Sequence, residues 1–398
     1  MNRAEAQLVA DAQGVRDEVG VLALHFGYAN RFFPGTSVQQ TRLRYALFVP
    51  WQLLALMRTP GLRPGQATEA LRQAEMDLAR RLPDVEGEGT IGRNTVKHDK
   101  PVSIPPSQSY WVALNQWGIL SRVGDVVPGR RDILSSLHGW REAGTGRGEL
   151  TDDEHRSLDP RPRLFHKDLP APPSDFTRGK ALDFALTDAE REFLGKRIED
   201  VSREDKQPAF LSVLVQKEAV PTDGQQPWST ELRKLADKSD RAALKRARDA
   251  AALSALARGF YLACVEHLKD TRDKRSSSTL HRDLLPVLID RYRDRALRLD
   301  LDAVAADGVA IGRLGSVLGA VQAWLRRGAF DPGDEKLRAV LAKWERDRKG
   351  DRRARLPLNA HAEAARRDWK GDKAGKAVPI GYRWDLVRRL LRDLHGVG

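Results

Sequence analysis

Small and apolar residues recur every three or four positions through one long segment of the second half of the chain. Small side chains at this spacing favour a helix that a second helix can approach closely. A polar break at Asp237–Asp240, where Ser239 can serve as an N-cap, divides residues 228–273 into two predicted helices. We expect the longer one to be the central core helix of a helical domain. The recurring residues are Ala243, Ala247, Ala250, Ala251, Ala257, Tyr261, Cys264 and Leu268.

Helical periodicity is frequent elsewhere too, whereas strand patterns are few. Thr36 or Ser37 is expected to cap a helix that Pro50 must end or kink near Val49. Residues 83–106 lose the period and predict loop with at most one short strand. The predicted fold class is mainly α, with two helical lobes. The other predicted helices lie at residues 64–82, 107–117, 187–201, 279–300, 309–328, 334–349 and 382–395.

A segment without periodicity suggests where the lobes are joined. Residues 144–175 contain TGRGE, several prolines and mixed charge, which is typical of an interdomain linker. The sequence therefore predicts an N-terminal helical domain over residues 1–143 and a basic helical domain over residues 176–398.

Residues 107–134 resemble the third helix and wing of a winged helix. A predicted helix ends at Trp117, a turn follows at Gly124, and two arginines come next, Arg130 and Arg131. Such a helix fits the major groove of DNA, and wing arginines reach phosphates. The alternative is a helix and short strand that use their aromatic residues as core.

The charge of the chain favours a polyanionic partner. Its 398 residues carry a net charge of +13, with 24 Lys and Arg against 21 Asp and Glu over residues 1–180 and 44 against 34 over residues 181–398. A positive surplus attracts nucleic acid, so DNA is the first partner to consider. A basic composition can also reflect solubility and genome bias alone.

The same composition excludes several protein classes. The single cysteine, Cys264, cannot form an intramolecular disulfide or a Cys-rich zinc site, and its apolar helical surroundings predict a buried, inert thiol. The most apolar run, Tyr45–Met57, contains Pro50 and is too short to cross a bilayer. No signal peptide is recognisable at the N-terminus. We expect a soluble, cytoplasmic protein with no membrane partner.

Several short sequences resemble enzyme motifs but lack a residue or a structural setting that the motif requires. His281-Arg282-Asp283-Leu284 copies a kinase catalytic loop, but Leu288 stands where the metal-binding Asn belongs. The chain has no phosphate-binding GxxxxGK[ST] loop. Glu204-Asp205-Lys206 has the E-x-K of some nucleases but lies in a polar loop. No catalytic residue, metal or cofactor is predicted, and a nuclease built from distant carboxylates stays a remote alternative.

The densest basic run is KWERDRKGDRRAR at Lys343–Arg355, with seven Lys and Arg, three acids and Trp344. Where basic side chains are interleaved with tryptophan, the basic groups can neutralise phosphates and the tryptophan ring can stack on nucleobases. A solvated, salt-bridged helix face is the alternative. Arg42 and Arg44 diverge by about 200° on their predicted helix, so at least one lies near the packed side and needs a carboxylate, carbonyl or phosphate partner. The predicted nucleic-acid-binding residues are Arg42, Arg44, Arg122, Arg130, Arg131, Lys343, Arg346, Arg348, Lys349, Arg352, Arg353 and Arg355.

The block FFPGTSVQQTRLRYALFVPW (Phe32–Trp51) resembles the signature of an uncharacterised bacterial family, a domain of unknown function with an FPGTS segment and a TRxRYxxFVPW helix. The resemblance continues in shorter blocks and departs from the family pattern at Arg258–His267. It implies kinship with components found beside helicases and phospholipase-D-type nucleases in bacterial phage-defence gene clusters. The shorter blocks in which the resemblance continues are residues 89–93, 106–119, 181–198 and 382–394.

Charge and resemblance together predict a non-enzymatic, nucleic-acid-associated accessory subunit of an anti-phage defence system. DNA would be held by the basic C-terminal surface and the 107–134 module. The alternative is a protein–protein adaptor that recruits a helicase or nuclease partner, with the positive charge meeting an acidic surface.

Overall fold

The computed structural model describes residues 17–123, 126–140, 161–174, 176 and 179–397. These residues form 17 α-helices and no strand, so the predicted mainly α class is confirmed. The helices are α1 Leu22–Phe32, α2 Tyr45–Met57, α3 Pro64–Arg81, α4 Arg93–Val96, α5 Pro106–Ser109, α6 Trp111–Gln116, α7 Arg130–Ser135, α8 Asp188–Glu199, α9 Phe210–Gln216, α10 Thr230–Leu235, α11 Lys238–Thr271, α12 Leu280–Arg298, α13 Leu301–Ala306, α14 Arg313–Arg327, α15 Glu335–Lys349, α16 Ala360–Arg367 and α17 Trp384–His395.

The chain divides into two compact units, and both are discontinuous in sequence. The first unit comprises Met1–Ala29 and Pro227–Tyr382, and the second comprises Asn30–Gln226 and Arg383–Gly398. This division differs from the predicted one, which placed a linker at residues 144–175. The described part of that segment, from residue 161 onward, belongs to the second unit, and residues 141–160 lie outside the described residues.

The first unit is built around α11, which has 34 residues and is therefore about 50 Å long. Asp237, rather than Ser239, caps it by accepting a hydrogen bond from the Asp240 N–H. Helix α12 packs along α11, and α14 and α15 also pack against it. A Cβ added at Gly259 would lie 2.7 Å from Leu288 Cδ1, so the helices meet closely where side chains are small. The predicted central core helix is confirmed.

In the second unit, α2 is buried on nearly all sides, as expected for an apolar core helix. The predicted start of this helix near Ser37 is wrong, because the helix begins at Tyr45, and of the two outcomes predicted at Pro50 the helix does not end there. Gln40 Oε1 accepts the Ser37 N–H and its amide donates to Gly35 O, so the cap-like spacing closes a turn before the helix. The helix then runs through Pro50 and continues to Met57.

Two of the blocks that carry the family resemblance, residues 32–51 and 106–119, contact each other inside the second unit. Trp117 Nε1 donates to Pro34 O over 3.1 Å, and a Cβ added at Gly35 would lie 2.3 Å from the same nitrogen. Gly35 also has φ +83°, which disfavours other residues. The Tyr110 hydroxyl accepts the Arg42 N–H and donates to Arg42 O. The FPGTS segment therefore has a packing role, because Pro34 and Gly35 contact the Trp117 side chain.

A fully buried ion pair lies in the first unit. Arg366 is 0% exposed, and its Nε and Nη2 donate to both carboxylate oxygens of Asp273 over 2.6 and 2.7 Å. Its Nη1 donates to the carbonyls of Arg355 and Pro357. These bonds fix the segment after α15 against the end of α11, because a buried guanidinium requires its partners.

We predict that Asp273→Ala lowers the free energy of unfolding by about 3 to 5 kcal/mol, because it leaves the Arg366 charge buried without its carboxylate. Urea denaturation followed by circular dichroism measures the change. The matched control is Asp368→Ala, which removes an exposed carboxylate and should change stability by less than about 0.5 kcal/mol. Equal effects of the two substitutions would show that the buried pair has no special structural role.

Candidate nucleic-acid interface

The two predicted arginines of the signature block are structural. Arg42 Nε donates to Asp393 Oδ1 and Oδ2 over 2.9 and 3.0 Å. The Arg44 side chain is 7% exposed, and its guanidinium pairs with Glu190 at 2.9 Å and Asp183 at 2.8 Å. Of the partners expected for a cation near the packed side, both arginines have carboxylates. Their cations hold α17 and α8 to the segment before α2.

The segment at residues 107–134 uses its aromatic side chains as core. Tyr110, Leu114 and Trp117 are buried, and the helix that would enter the major groove, α6, has only six residues. The alternative core role of these residues is therefore confirmed. Arg122 and Arg131 are exposed. The winged-helix likeness and the DNA contact of these arginines stay predictions, and the expected turn at Gly124 lies outside the described residues.

Arg130 is held beside a buried carboxylate. Glu75 Oε1 accepts the Ser107 N–H over 2.7 Å, and Arg130 Nη1 donates to Ser107 Oγ over 3.4 Å. Burial raises the pKa of the Glu75 carboxyl above its ordinary 4.5, and the Ser107 hydrogen bonds and the Arg130 charge oppose this by less. Arg130 therefore contributes to the local charge balance of α3 and α5.

The basic run at Lys343–Arg355 is divided between the interior and the surface. Lys349 is buried, and its Nζ pairs with Glu345 Oε1 at 3.2 Å. Glu345 also accepts the Tyr261 hydroxyl and the backbone N–H groups of Arg355 and Leu356. Burial lowers the pKa of Lys349, and the Glu345 charge partly offsets this. Because Lys349 is enclosed, it is removed from the surface available to a polyanion.

Arg355 and Arg348 are also engaged within the first unit. Arg355 Nη1 contacts the Tyr261 hydroxyl at 3.4 Å, and Arg348 Nη2 donates to Asp17 Oδ2 over 3.2 Å and to Asp17 O. Trp344 Nε1 donates to Val19 O, and the Arg348 guanidinium lies 5.5 Å from the Trp344 ring centre. The tryptophan that was predicted to stack nucleobases is thus occupied by contacts within the protein.

The remaining bases of the run are exposed and lie at one end of the α14–α15 hairpin. Arg313, at the start of α14, is 83% exposed, and its Nη1 lies 3.9 Å from the Asp347 carboxylate near the end of α15. This contact places the first turn of α14 beside the last turns of α15 and the chain that follows. We define the hairpin-end cluster as the exposed bases Arg313, Lys343, Arg346, Arg352 and Arg353.

Sequence reasoning missed a second group of exposed bases, at the start of α11. Lys238, Arg241 and Lys245 follow one another at helical spacing on its exposed side. The spacing is visible in the sequence, but these bases lie outside its densest basic run. A stripe of bases depends on the period of the charges rather than on their density.

Other site types find no support in the part of the chain that the structure describes. No group of three His, Cys, Asp or Glu residues there is placed to hold a metal ion. None of its helices combines the length and hydropathy needed to span a bilayer. The predicted burial of Cys264 is confirmed, and this burial raises the pKa of its thiol to about 12.

The chain belongs to a family of unknown function (DUF6361), whose model matches residues 2–332. Membership of an uncharacterised family, as predicted, is confirmed. Comparisons with curated proteins and with solved structures find no match. The matched region includes α11 and Arg313 and ends before α15.

We predict that Glu75→Gln flattens the pH dependence of stability. The folded-state pKa of Glu75 is raised, so this carboxyl contributes stability below about pH 4.5 that is lost as the pH rises through the folded-state pKa. Gln keeps an acceptor for the Ser107 N–H and removes the titration. Urea midpoints between about pH 4.5 and about pH 7 should therefore show the wild type losing stability relative to the variant. The exposed control, Glu86→Gln, should run parallel to the wild type; the same parallel result for Glu75→Gln would contradict the prediction.

Proposed function

We propose that the protein is a nucleic-acid-associated accessory protein that binds the phosphate backbone through the hairpin-end cluster. The carrying observation is that five exposed bases gather at one end of a helical hairpin, with Asp347 and Asp351 as the acids interspersed among them. Each base that neutralises a phosphate releases counterions, which provides affinity independent of sequence. The role expected from this cluster is therefore to hold nucleic acid rather than to recognise its nucleotide sequence.

The composition of the cluster favours phosphate over a protein partner. The core of a protein interface is depleted in charged residues overall and enriched in aromatic residues, although arginine is enriched there too. An aromatic side chain beside the bases is therefore what a protein partner would need. Trp344, the aromatic side chain of this segment, already donates to Val19 O and contacts Arg348. Arg346 and Arg352 are exposed and have no ion pair with any residue in the described ranges, so binding a phosphate would not require breaking an existing pair.

Under this proposal the chemistry that accompanies binding belongs to other proteins. The helicase and nuclease partners, and the place in an anti-phage defence system, follow from the signature resemblance and stay predictions. An accessory protein of this kind would increase the local concentration of such partners on nucleic acid.

We predict that Lys343→Ala/Arg346→Ala/Arg352→Ala weakens binding to a duplex of about 30 base pairs by about tenfold near 100 mM salt. The slope of log affinity against log salt should fall by about 2 to 3, because three phosphate contacts are removed. Fluorescence anisotropy between about 50 and about 200 mM salt measures both quantities.

The matched control is Arg291→Ala/Arg295→Ala/Arg298→Ala, which removes the same charge from an exposed face of α12 that also carries Asp290 and Asp294. It should leave affinity within about twofold of the wild type, because those bases lie among acids. A wild-type affinity that does not depend on salt would refute phosphate binding. Equal losses in the two variants would assign the binding to net charge rather than to the cluster.

A further inference from the structure

The start of α11 carries a stripe of bases that is separate from the hairpin-end cluster. Lys238, Arg241, Lys245 and Arg248 are spaced by three, four and three residues, so they lie along one side of the helix over about 15 Å. Lys234, on the preceding helix α10, is also exposed and lies beside the stripe, since Arg241 Nη2 donates to the Lys234 carbonyl oxygen over 3.3 Å. We call these five residues the α11 ridge. The residues that alternate with them, such as Ala243 and Ala247, are buried.

The carboxylates of the same segment leave most of the ridge uncompensated. Asp237 caps α11 through the Asp240 N–H, and Asp249 is buried beside Arg248, whose Nε lies 3.1 Å from Asp249 Oδ1. The neighbouring Arg246 turns inward, and its Nε donates to Asp307 over 2.6 Å. Within the described residues, the three lysines of the ridge form no ion pair. The ridge is thus a line of cations and not a network of salt bridges.

A nucleic-acid backbone fits this line better than a membrane or a protein does. Membrane-surface helices need a large apolar face beside their bases, and protein interfaces need aromatic or aliphatic anchors. Ala242 is the apolar residue exposed among the ridge bases, and it offers neither. Bases that rise about 5 Å apart along a straight helix suit a regular series of phosphates.

The ridge lies on the side of α11 opposite the one that contacts α15, the helix that carries Lys343 and Arg346. Helix α15 contacts α11 at Tyr261, whose hydroxyl donates to Glu345. Tyr261 follows Lys245 by 16 residues, which corresponds to a rotation of about 160° around the helix at about 100° per residue. The ridge therefore faces away from α15, so it is a separate surface from the one that α15 presents.

We propose that the α11 ridge binds a second nucleic-acid segment, so that one molecule of this protein bridges two duplexes. The inference rests on the proposed function for the first segment and adds the ridge as a weaker second site. Bridging brings distant stretches of nucleic acid together without base-specific contacts. This property goes beyond the binding of a single segment.

The test is a capture assay on the full chain. A biotinylated duplex of about 30 base pairs is immobilised on beads, and retention of a second, dye-labelled duplex is measured with and without protein. The ridge variant is Lys234→Ala/Lys238→Ala/Lys245→Ala, which removes exposed lysines and keeps Arg241, whose Nη2 donates to Ala236 O. The cluster variant and the α12 control variant described above complete the set, and thermal unfolding checks that each is folded.

If the inference is right, the ridge variant binds a single duplex within about twofold of the wild type but captures less than about a tenth as much of the second duplex. The cluster variant loses capture too and keeps weak binding, which disappears when both sets of substitutions are combined. The α12 control bridges like the wild type. Undiminished capture by the ridge variant would overturn the inference and assign bridging to self-association of the protein.

The two proposals fail in different ways. If the cluster variant binds a single duplex as tightly as the wild type while the ridge variant does not, the proposed function of the hairpin end is wrong and bridging falls with it. If the wild type binds a single duplex with the expected salt dependence and captures no second one, the proposed function stands and bridging alone is wrong.

Discussion

Both units contain cations that are buried, and each of these cations needs a carboxylate or carbonyl partner close by. Arg366 has Asp273, Lys349 has Glu345, and in the second unit Arg44 has Glu190. A buried charge that loses its partner destabilises the fold by several kcal/mol, so these pairs restrict which elements can pack together. They also decide which bases remain on the surface, because a cation held in the interior cannot neutralise a phosphate.

Local patterns in the sequence predicted most of the helices. The predicted helix at residues 187–201 begins with a capping box that is readable in the sequence, since Thr187 Oγ1 accepts the Glu190 N–H and Glu190 Oε2 accepts the Thr187 N–H. The small-residue period of α11 and the break before it were also readable. These features depend on residues within one or two turns of each other, and a single sequence contains that information.

The division into units depends on contacts that no local pattern reveals. Asp393, near the end of the chain, accepts the Leu43 N–H and pairs with Arg42 in the second unit. Tyr28 in the first unit donates to Asp307. These partners are separated by hundreds of residues, so a composition change at residues 144–175 could not indicate where the units divide. Sequence reasoning assumed continuous domains, and the chain does not form them.

The division of the basic run at residues 343–355 was partly readable. Leu337 and Leu341 are buried, and a step of four residues from Leu341 leads to Glu345 and then to Lys349. An acid and a base that continue an apolar stripe are expected to pair inside the protein. Density of charge suggested one binding surface, whereas the helical period separates Lys349 from Lys343 and Arg346. The helical period of the charged residues therefore predicts which of them are buried better than their density does.

Net charge by itself is a poor predictor of where a polyanion binds. The first unit carries 36 Lys and Arg against 26 Asp and Glu, and the second carries 32 against 29, so the surplus lies mostly in the first. Within that unit, pairs such as Arg246 with Asp307 and Arg258 with Glu18 remove bases from the surface. The hairpin end and the α11 ridge carry part of what remains, and further exposed basic residues follow α11, lie along α12 and follow α16. The ridge lies inside the region that the family model matches, whereas Lys343, Arg346, Arg352 and Arg353 of the hairpin-end cluster lie beyond it.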